Sequence, residues 1–372
     1  MNSSKSIYDV VVVGAGIVGA ACAHFLKKEG LRVAVLERGI VGGGATAAAM
    51  GHLVAMDDSP AQLALTKFSL ELWNELEDQL PASVEYRQPG TLWIASDDEE
   101  MAEVRRKYEV YRSVGLACEV LDSAALAEAE PKLRRPLAGA LRVLGDGVIH
   151  PQAAAQFLLR GVAERGTVFT DCTAVSIDGS TVLFGDRTRV SAGHIVNAAG
   201  CAAPELTPGI AMRKRKGHLI LTDCYPGFLR HQVVELGYLK SAHSVTADSV
   251  AFNVQPRATG QILIGSSRQY EDEDAAVDYG IVRRMMERAC EYMPEVATLS
   301  VLRAWTGFRA ATADRLPLIG PSPANPKVLL ATGHEGLGIT TSTGTGRLIA
   351  DTILQKKSPI PREPYLPSRM TR

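Results

Sequence analysis

The spacing of apolar residues along the chain predicts most of its helices and strands. Residues 10–13 form a short β-branched apolar run, which is typical of a parallel strand buried on both faces. Residues 17–29 follow with the spacing of a helix, and residues 32–36 form a second apolar strand. This strand–helix–strand order predicts the start of an α/β sheet.

The rest of the pattern predicts further elements and a second, different sheet. Helical spacing covers residues 62–80, 97–115, 152–165, 278–292 and a last segment that ends near Leu354. Strand patterns cover residues 86–95, 167–177, 181–184, 190–200 and 328–332. Between residues 212 and 302, the segments 218–222, 250–254 and 261–265 alternate with period two and have short links, which predicts an antiparallel sheet.

Gly14, Gly16 and Gly19 form a GxGxxG motif between the first strand and the first helix. Gly14 permits a tight turn, Gly16 lets a pyrophosphate approach the backbone, and Gly19 allows the helix to pack closely on the strand. The start of the helix offers unpaired N–H groups to phosphates. Glu37 follows about twenty residues later, where an acid accepts ribose hydroxyls. In this context the motif predicts a Rossmann-like dinucleotide-binding domain.

Three later segments are expected to face the same ligand. Residues 39–53 are rich in glycine and alanine, so their backbone can lie against a flat ligand while Thr46 bonds a phosphate. Residues 190–200 end in IVNAAG, a second place where the end of a strand faces the cofactor. Residues 333–346, GHEGLGITTSTGTG, form a strand-to-helix turn far along the chain. Both ends of the chain should therefore close on one ligand.

A chain of 372 residues is too long for one compact core, so we predict two domains and an α/β fold class. The Rossmann-like domain comprises residues 1–85, 145–210 and 303–372. It is interleaved with an antiparallel-sheet α+β substrate domain of residues 86–144 and 211–302. We interpret the basic run Arg213, Lys214, Arg215 and Lys216 as the solvated, solvent-exposed start of a strand in preference to a phosphate-binding patch.

Composition and charge argue against several classes of protein. Apolar residues make up 46% of the chain and the formal net charge is −1, which gives no reason to expect a nucleic-acid partner. No apolar run is long enough to span a bilayer, and no signal-peptide pattern is present, so we expect a cytoplasmic protein; peripheral contact with a membrane stays open. The six cysteines are scattered without a CxxC pair, which favours free thiols over a metal site or disulfides.

These segments together resemble the D-amino-acid oxidase and glycine oxidase superfamily of FAD-dependent amine oxidoreductases. The resemblance covers residues 7–354 and includes the glycine fingerprint, the loop up to Gly51, IVNAAG, WTGFR, DRLPLIG and the loop at 333–340. The loop GHEGLGITTS is most similar to a branch with D-hydroxyproline dehydrogenases, opine oxidase small subunits and the large flavoprotein subunit of hydrogen cyanide synthase. In one departure, Ala310 follows Arg309 where members of the superfamily often have proline.

The resemblance implies that the protein binds one FAD non-covalently and oxidises a D-amino acid or cyclic secondary amino acid to its imine. Hydride passes from the carbon bearing a neutral amine to flavin N5, so a side-chain base is not required. The implied substrate is cis-4-hydroxy-D-proline or D-proline. The alternatives are a glycine- or sarcosine-type amine oxidase, and the flavoprotein subunit of a heteromeric amino-acid or opine dehydrogenase.

Several properties stay open at this point. The electron acceptor is oxygen or a quinone, and the protein is a monomer, a homo-oligomer or a subunit of a heteromer. A nicotinamide dehydrogenase would give no reason for the second glycine-rich loop, and a flavin monooxygenase would need a further nucleotide site. A non-catalytic partner subunit would retain the FAD segments but lose an arginine for the substrate carboxylate.

The candidate catalytic residues follow from the resemblance and from side-chain chemistry. A carboxylate calls for the bidentate fork of an arginine, for which Arg309 is the first candidate and Arg268 the second. His52 and His334 stand beside glycines and are candidates to bond flavin or substrate, with a structural hydrogen bond as the alternative. Glu335 is a candidate to orient its loop or to meet a substrate hydroxyl or amine. The residues expected to contact FAD are Gly14, Gly16, Ile17, Val18, Gly19, Glu37, Arg38, Gly44, Ala45, Thr46, Met50, Gly51, His52, Leu53, Val175, Ala198, Ala199, Gly200, Arg309, Gly333, His334, Gly336, Leu337, Gly338, Ile339 and Thr340.

Overall fold

Two eight-stranded sheets organise the described part of the protein, and the chain passes from one to the other and back twice. The structure, a computed structural model, describes residues 8–165, 167–237, 248–270 and 273–370. The predicted domain ranges also contain residues 1–7, 166, 238–247, 271–272 and 371–372, which lie outside the described residues.

The strands of the described residues, in chain order, are β1 (Tyr8–Val13), β2 (Val33–Leu36), β3 (His52–Leu53), β4 (Thr91–Ala95), β5 (Cys118–Asp122), β6 (Gly139–Val143), β7 (Gly147–Val148), β8 (Val168–Phe169), β9 (Ala174–Asp178), β10 (Thr181–Phe184), β11 (Arg189–Asn197), β12 (Arg213–Thr222), β13 (Gln232–Glu235), β14 (Ser249–Pro256), β15 (Ile262–Arg268), β16 (Val301–Ala311), β17 (Leu318–Pro321) and β18 (Val328–Thr332). The α-helices are Ile17–Lys28, Pro60–Leu76, Asp98–Ser113, Ser123–Ala129, Pro151–Ala163, Ala203–Leu206, Tyr279–Tyr292 and Gly338–Ile353.

The first sheet is the Rossmann-like sheet that the sequence predicts. Its main path runs β17–β18–β11–β1–β2–β8; every neighbouring pair is parallel except β17 with β18. Val10 and Val12 of β1 belong to one apolar cluster, whereas Val11 and Val13 belong to another. Both faces of β1 are therefore buried, which explains its continuous apolar sequence.

Four helices cover one face of the first sheet. The opening helix, Ile17–Lys28, packs against the closing helix, Gly338–Ile353, and against Pro151–Ala163. Pro60–Leu76 packs on the other side of the closing helix. None of the helices among the described residues is both long and apolar enough to cross a membrane.

The second sheet runs β16–β12–β15–β14–β13–β4–β6–β5 and is antiparallel except for one pair, β4 with β13. The prediction of an antiparallel sheet therefore holds with this exception. Parallel neighbours need a long crossover rather than a hairpin, and the chain between β4 and β13 passes through the first sheet, which supplies one. The helix Tyr279–Tyr292 covers one face of this sheet, where Ile281 and Met285 pack on Phe252 and Ile264.

Several predicted boundaries differ from the structure. The chain leaves the second sheet only after Ala311, later than the predicted domain boundary at residue 303, because β16 pairs along its length with β12. The predicted strand at 86–95 is regular only at Thr91–Ala95, since Arg87 instead forms an isolated bridge to Val148. The predicted strand at 167–177 is two short strands, β8 and β9, that lie on different neighbours.

The segment from Lys356 to Met370 packs against the first sheet beside β17. Tyr365 is buried, and its hydroxyl donates to the Ala61 carbonyl oxygen at 2.6 Å. Arg369 forms an ion pair with Asp314, with 2.6 Å between Nε and Oδ2. One buried aromatic and one ion pair thus fix a segment that has no regular apolar spacing.

Candidate active site

The carboxyl ends of four parallel strands of the first sheet meet at one edge, and each predicted cofactor-facing segment follows one of them. These strands end at Val13, Leu36, Asn197 and Thr332. Gly14 follows the first with a φ of +104°, and a Cβ there would lie 2.5 Å from the Ala198 carbonyl oxygen. The segments that follow β1 and β11 are therefore packed so closely that only glycine fits at position 14.

The turn after β1 presents the start of the opening helix to this edge. A Cβ at Gly19 would lie 1.9 Å from the Gly14 carbonyl oxygen, so the helix packs directly on the turn. The Ile17 N–H donates to the Thr46 hydroxyl oxygen at 3.0 Å, which ties residues 39–53 to the helix start. That hydroxyl can still donate its own hydrogen to a phosphate.

Glu37 lies at the end of β2, beside the same turn. Its Oε2 accepts from the Ala15 N–H at 2.7 Å and its Oε1 accepts from the Gly39 N–H at 2.9 Å. A carboxylate has about four acceptor positions, so two remain for ribose hydroxyls. The acid is thus oriented by backbone before any ligand binds.

The small-residue loop crosses from the first sheet to the face of the second sheet opposite the helix Tyr279–Tyr292. The Gln255 side chain donates to the Met50 carbonyl oxygen at 3.0 Å, and the Trp305 indole N–H donates to the Ala48 carbonyl oxygen at 3.3 Å. Met50 packs with Leu219 and Leu263 in a small apolar cluster. The predicted contact residues Gly44, Ala45, Gly51 and Leu53 belong to the same loop and its short strand.

The loop at residues 333–340 is joined to the loop at residues 39–53 through Thr340. Its hydroxyl donates to the His52 carbonyl oxygen at 2.9 Å and lies 3.2 Å from the Val54 nitrogen, whose N–H donates to it. The Trp73 indole N–H reaches the carbonyl oxygens of Ile339 and Thr340 at 3.3 and 3.2 Å. Residues far apart in sequence therefore close one site, as the two glycine-rich turns predict.

These features fit a dinucleotide with a flat redox ring. The glycine turn, the helix start and Glu37 would hold the diphosphate and the ribose, and the loop at 44–53 would lie along the ring. His52 adds a further indication, because its Nε2 is buried and has no hydrogen-bond partner among the described residues. Burial also lowers the pKa of His52 to about 3, so the ring is a neutral donor or acceptor near neutral pH.

Beside this edge, three arginines surround one glutamate. The Arg215 Nη1 lies 2.5 Å from Glu335 Oε1, and the Arg268 Nε lies 3.7 Å from the same oxygen. The side chains of Arg215, Arg268 and Glu335 are 9%, 10% and 15% exposed. Burial alone raises the pKa of the Glu335 carboxyl, but the guanidinium groups of Arg268, Arg215 and Arg309 together lower it below its usual value. We call these four residues the arginine cluster.

Arg309 belongs to the arginine cluster and lies on the edge strand of the second sheet. It is on β16 opposite Arg215 of β12, so the two side chains share one face of the sheet. Its Nη1 donates to the Ser267 carbonyl oxygen of β15 at 3.1 Å. A Cβ at Gly217 would lie 2.4 Å from the same nitrogen. The guanidinium thus occupies space that only a glycine on the neighbouring strand leaves open.

His334 has a structural partner. Its Nε2 lies 2.9 Å from the Thr345 hydroxyl oxygen inside the closing helix, and burial lowers the pKa of the ring to about 3. One ring nitrogen of His334 is therefore held by the closing helix. Gly333 precedes it with a φ of +79°, and Gly336, Leu337, Gly338 and Ile339 lead into the closing helix.

The remaining predicted cofactor contacts lie around Glu37 and the end of β11. Arg38 is exposed beside Glu37, and Val18 belongs to the first turn of the opening helix. The Cys172 N–H donates to the Glu37 carbonyl oxygen at 2.8 Å, three residues before Val175, which is 48% exposed. The Gly200 carbonyl oxygen accepts from the Thr332 hydroxyl at 3.0 Å, and Ala199 lies beside it.

Sequence reasoning missed Arg215 and Tyr270. The solvated interpretation of residues 213–216 holds for Arg213 and Lys214, which are exposed, but is wrong for Arg215 and Lys216, which are buried. Arg215 also bonds the Tyr270 hydroxyl, and its guanidinium stacks over that ring with 4.6 Å to the centroid. The signal was the period-two alternation of Arg215, Gly217 and Leu219 on one face of β12.

Comparison with known proteins gives consistent results. The FAD dependent oxidoreductase family (DAO) matches residues 9–352. The chain is 28% identical to a glycine oxidase from Geobacillus kaustophilus over 96% of both chains. The crystal structure of a glycine oxidase from that organism superposes with a TM-score of 0.86 and 27% identity, and the match covers 97% of this chain and 98% of that one. It is 26% identical to hydrogen cyanide synthase subunit HcnC of Pseudomonas protegens over 97% of this chain and 96% of that one.

A further solved structure shares the fold. The L-proline dehydrogenase from P. horikoshii has a TM-score of 0.88 with 23% identity and covers 99% of both chains. The family match spans both sheets and all the loops described above. The sequence, the glycine turn with its acid and the family match therefore agree: the chain belongs to the FAD dependent oxidoreductase family and is an enzyme that uses FAD.

Proposed function

We propose that this enzyme oxidises the carbon–nitrogen bond of a D-amino acid or cyclic secondary amino acid to the imine, with cis-4-hydroxy-D-proline or D-proline as the substrate. The arginine cluster is the observation that carries the proposal. It places guanidinium groups at the boundary between the loop 333–340 and the second sheet, where a carboxylate can be held beside the cofactor edge.

Arg309 holds the substrate carboxylate in this proposal. A guanidinium presents its N–H donors in a planar fork that matches a carboxylate, and the Nη1 bond to the Ser267 carbonyl oxygen fixes the orientation of this group. Arg268 contributes positive charge from the end of β15, on the other side of β12 from Arg309. The carboxylate then fixes the orientation of the carbon–hydrogen bond relative to the cofactor.

Bound FAD supplies the acceptor for the hydride that leaves the carbon bearing the amine. The substrate amine must be neutral for this step, because an ammonium has no lone pair to donate. Burial lowers the pKa of His52 to about 3, so its ring is neutral near neutral pH. It therefore places no positive charge near the substrate amine. The final electron acceptor in this proposal is oxygen or a quinone.

The choice of substrate rests on the loop GHEGLGITTS. The branch that this loop resembles includes D-hydroxyproline dehydrogenases, and the L-proline dehydrogenase shares the fold. The glycine oxidase relative favours a second candidate, an acyclic primary or secondary amine such as glycine or sarcosine. HcnC is named as a subunit, which supports a heteromeric alternative.

The test is reduction of the FAD-loaded protein under anaerobic conditions. The loss of flavin absorbance measures the rate of this reduction. The panel contains cis-4-hydroxy-D-proline, D-proline, L-proline, glycine, sarcosine and D-alanine. We expect the D-proline series to reduce the flavin fastest. Faster reduction by glycine or sarcosine would replace this proposal with the second candidate, and no reduction by any of them would favour a subunit that needs its partner.

The FAD is held without a covalent bond in this proposal. Covalent flavin attachment needs a nucleophilic side chain beside the ring. Among the described residues of the two cofactor-facing loops, 39–53 and 333–340, there is no cysteine, and the histidines are His52 and His334, of which the latter bonds Thr345. Acid precipitation should release all yellow colour into the supernatant. Colour that stays with the pellet would contradict this, and His52 would be the first residue to test.

A further inference from the structure

Glu335 has an unusual backbone and an unusual environment. It is a non-glycine residue with a φ of +50°, a conformation that costs free energy and that persists only where the surroundings enforce it. Its N–H donates to the Ala310 carbonyl oxygen at 2.8 Å, one residue after Arg309. Backbone and side chain of Glu335 therefore both contact the strand region that carries the arginines.

Three strands supply the guanidinium groups around its side chain. Arg215 on β12 and Arg268 at the end of β15 pair with the Glu335 carboxylate, and Arg309 on β16, which lies opposite Arg215, attracts it as well. Arg215 is in turn held by the Tyr270 hydroxyl and by stacking on that ring. Guanidinium groups repel one another because they carry the same charge. They can lie together in a buried site only when an anion such as the Glu335 carboxylate is shared between them.

We propose that Glu335 is a positioning residue, which holds the guanidinium groups of Arg268 and Arg309 in the arrangement that binds the substrate carboxylate. Arg215 and Tyr270 anchor Glu335 from the opposite side. This inference rests on the proposed function, because it presupposes that Arg309 binds a carboxylate. It assigns Glu335 no contact with the reacting atoms.

The direction in which Glu335→Gln changes the affinity for an anionic ligand distinguishes a positioning role from a simple effect of charge. Glu335→Gln removes a negative charge, so electrostatic attraction alone would make an anionic ligand bind more tightly. Loss of positioning has the opposite effect, since the guanidinium groups separate and the fork of Arg309 loses its orientation. Weaker binding in Glu335→Gln is therefore expected only if Glu335 positions the arginines.

Glu85 provides a matched control. It has a φ of +53°, its side chain is 18% exposed, and it pairs with Arg257 with 2.6 Å between Oε1 and Nη2. Arg257 follows β14 and lies at the opposite end of the β14–β15 pair from Arg268. Glu85→Gln thus removes a comparable glutamate–arginine pair on a similar backbone without touching the arginine cluster.

The experiment measures binding of cyclopentanecarboxylate and of its amide to the FAD-loaded protein by calorimetry. This acid has the ring and carboxylate of proline but no amine, so it cannot be oxidised in the same way. We expect wild type and Glu85→Gln to prefer the acid, Arg309→Ala to lose the preference, and Glu335→Gln to bind the acid about tenfold or more weakly than wild type. FAD content and melting temperature are recorded for each variant.

Each outcome decides something. Equal or tighter binding of the acid by Glu335→Gln, with the preference lost in Arg309→Ala, overturns the positioning role while the carboxylate site stands. Absence of an acid preference in wild type, or its survival in Arg309→Ala, overturns the proposed carboxylate site and this inference with it. If Glu335→Gln does not fold, Arg215→Lys replaces it. That variant keeps the charge but loses the fork between Glu335 and Tyr270, and unchanged acid binding in it would overturn the positioning role.

Discussion

At the scale of single residues, Gly217 determines where Arg309 lies. A Cβ at this position would lie 2.4 Å from the Arg309 Nη1 and 2.7 Å from its Cζ. The guanidinium is the flexible end of a long side chain, so a methyl group would displace it without disturbing the backbone. The position of the arginine fork is therefore encoded on the neighbouring strand as much as at Arg309 itself.

We expect Gly217→Ala to retain FAD and to melt within a few degrees of wild type, while its affinity for a carboxylate ligand falls about tenfold, as for loss of one charged hydrogen bond. The measurement is binding of the acid and the amide described above. Gly145→Ala is the control, because a Cβ there would meet no atom within 4 Å. Unchanged acid binding in Gly217→Ala would mean that Arg309 does not hold the carboxylate from this position.

Glu37 is oriented by two backbone N–H groups before FAD binds. In its predicted role Glu37 accepts from the ribose hydroxyls, so removing its side chain would take away that acceptor and also free the N–H groups of Ala15 and Gly39. We expect Glu37→Ala to weaken FAD binding by about 1.5–3 kcal/mol, which is tenfold or more. Titration of the FAD-free protein by flavin fluorescence measures this. An unchanged dissociation constant would place the ribose elsewhere.

At the scale of elements, the packing of the opening helix on the closing helix fixes the phosphate-facing turn. A Cβ at Gly346 of the closing helix would lie 2.6 Å from the Ala21 carbonyl carbon and oxygen, which are backbone atoms of the opening helix. Backbone cannot move aside as a side chain can. The two helices are thus as close as their backbones allow, and the glycine turn after β1 moves with the opening helix.

Gly346→Ala should therefore destabilise the protein by about 1–3 kcal/mol in spite of the better helix propensity of alanine, and should weaken FAD binding as well. Gly161 in the helix Pro151–Ala163 is the matched control, since a Cβ there would meet only the Lys27 side-chain end, with Nζ at 2.4 Å. Gly161→Ala should change the free energy of unfolding by less than about 1 kcal/mol. Equal effects of the two variants in urea unfolding would refute this account of the helix contact.

At the scale of the whole molecule, one buried carboxyl makes stability depend on pH. Burial raises the pKa of Asp146 to about 7, although the Ala55 N–H, which donates to Oδ1 at 3.0 Å, the Thr91 hydroxyl and Lys107 act against the shift. Because the folded pKa lies above the unfolded value of 3.8, the neutral form is favoured in the folded state. The contribution of Asp146 is therefore fully present below about pH 4 and is lost as pH rises through 7.

Asp146→Asn keeps an uncharged side chain of the same shape at every pH. We expect the variant to gain stability relative to wild type as pH rises from about 4 to 7, by about 1.4 kcal/mol for each pH unit, and to level off above pH 7. Urea unfolding at pH 5, 6, 7 and 8 with the same FAD concentration measures the difference. A difference that does not change with pH would show that Asp146 is ionised throughout.

The local signals in the sequence were sufficient for the first sheet and the cofactor. The apolar run at 10–13, the three glycines of the fingerprint and Glu37 lie within thirty residues of each other, so chain geometry alone brings them together. Family, fold class and use of FAD were predicted from these and from the later glycine-rich loop, and they are confirmed. These features are determined locally because glycine conformations and strand–helix connections depend on neighbouring residues.

The arrangement of the arginine cluster was determined by the tertiary structure. Arg215, Arg268, Arg309 and Glu335 come from four segments separated by long stretches of chain, and they meet only because β12, β15 and β16 are neighbours in the second sheet. Strand alternation places Arg215 on the same face as Gly217 and Leu219, but whether that face is buried depends on the strands that pair with β12. The residues after Lys356 show no apolar period, although Tyr365 is buried. Glycine turns and strand alternation are properties of adjacent residues, whereas the partner of a buried charge depends on which strands pair, and that is fixed only in the folded molecule.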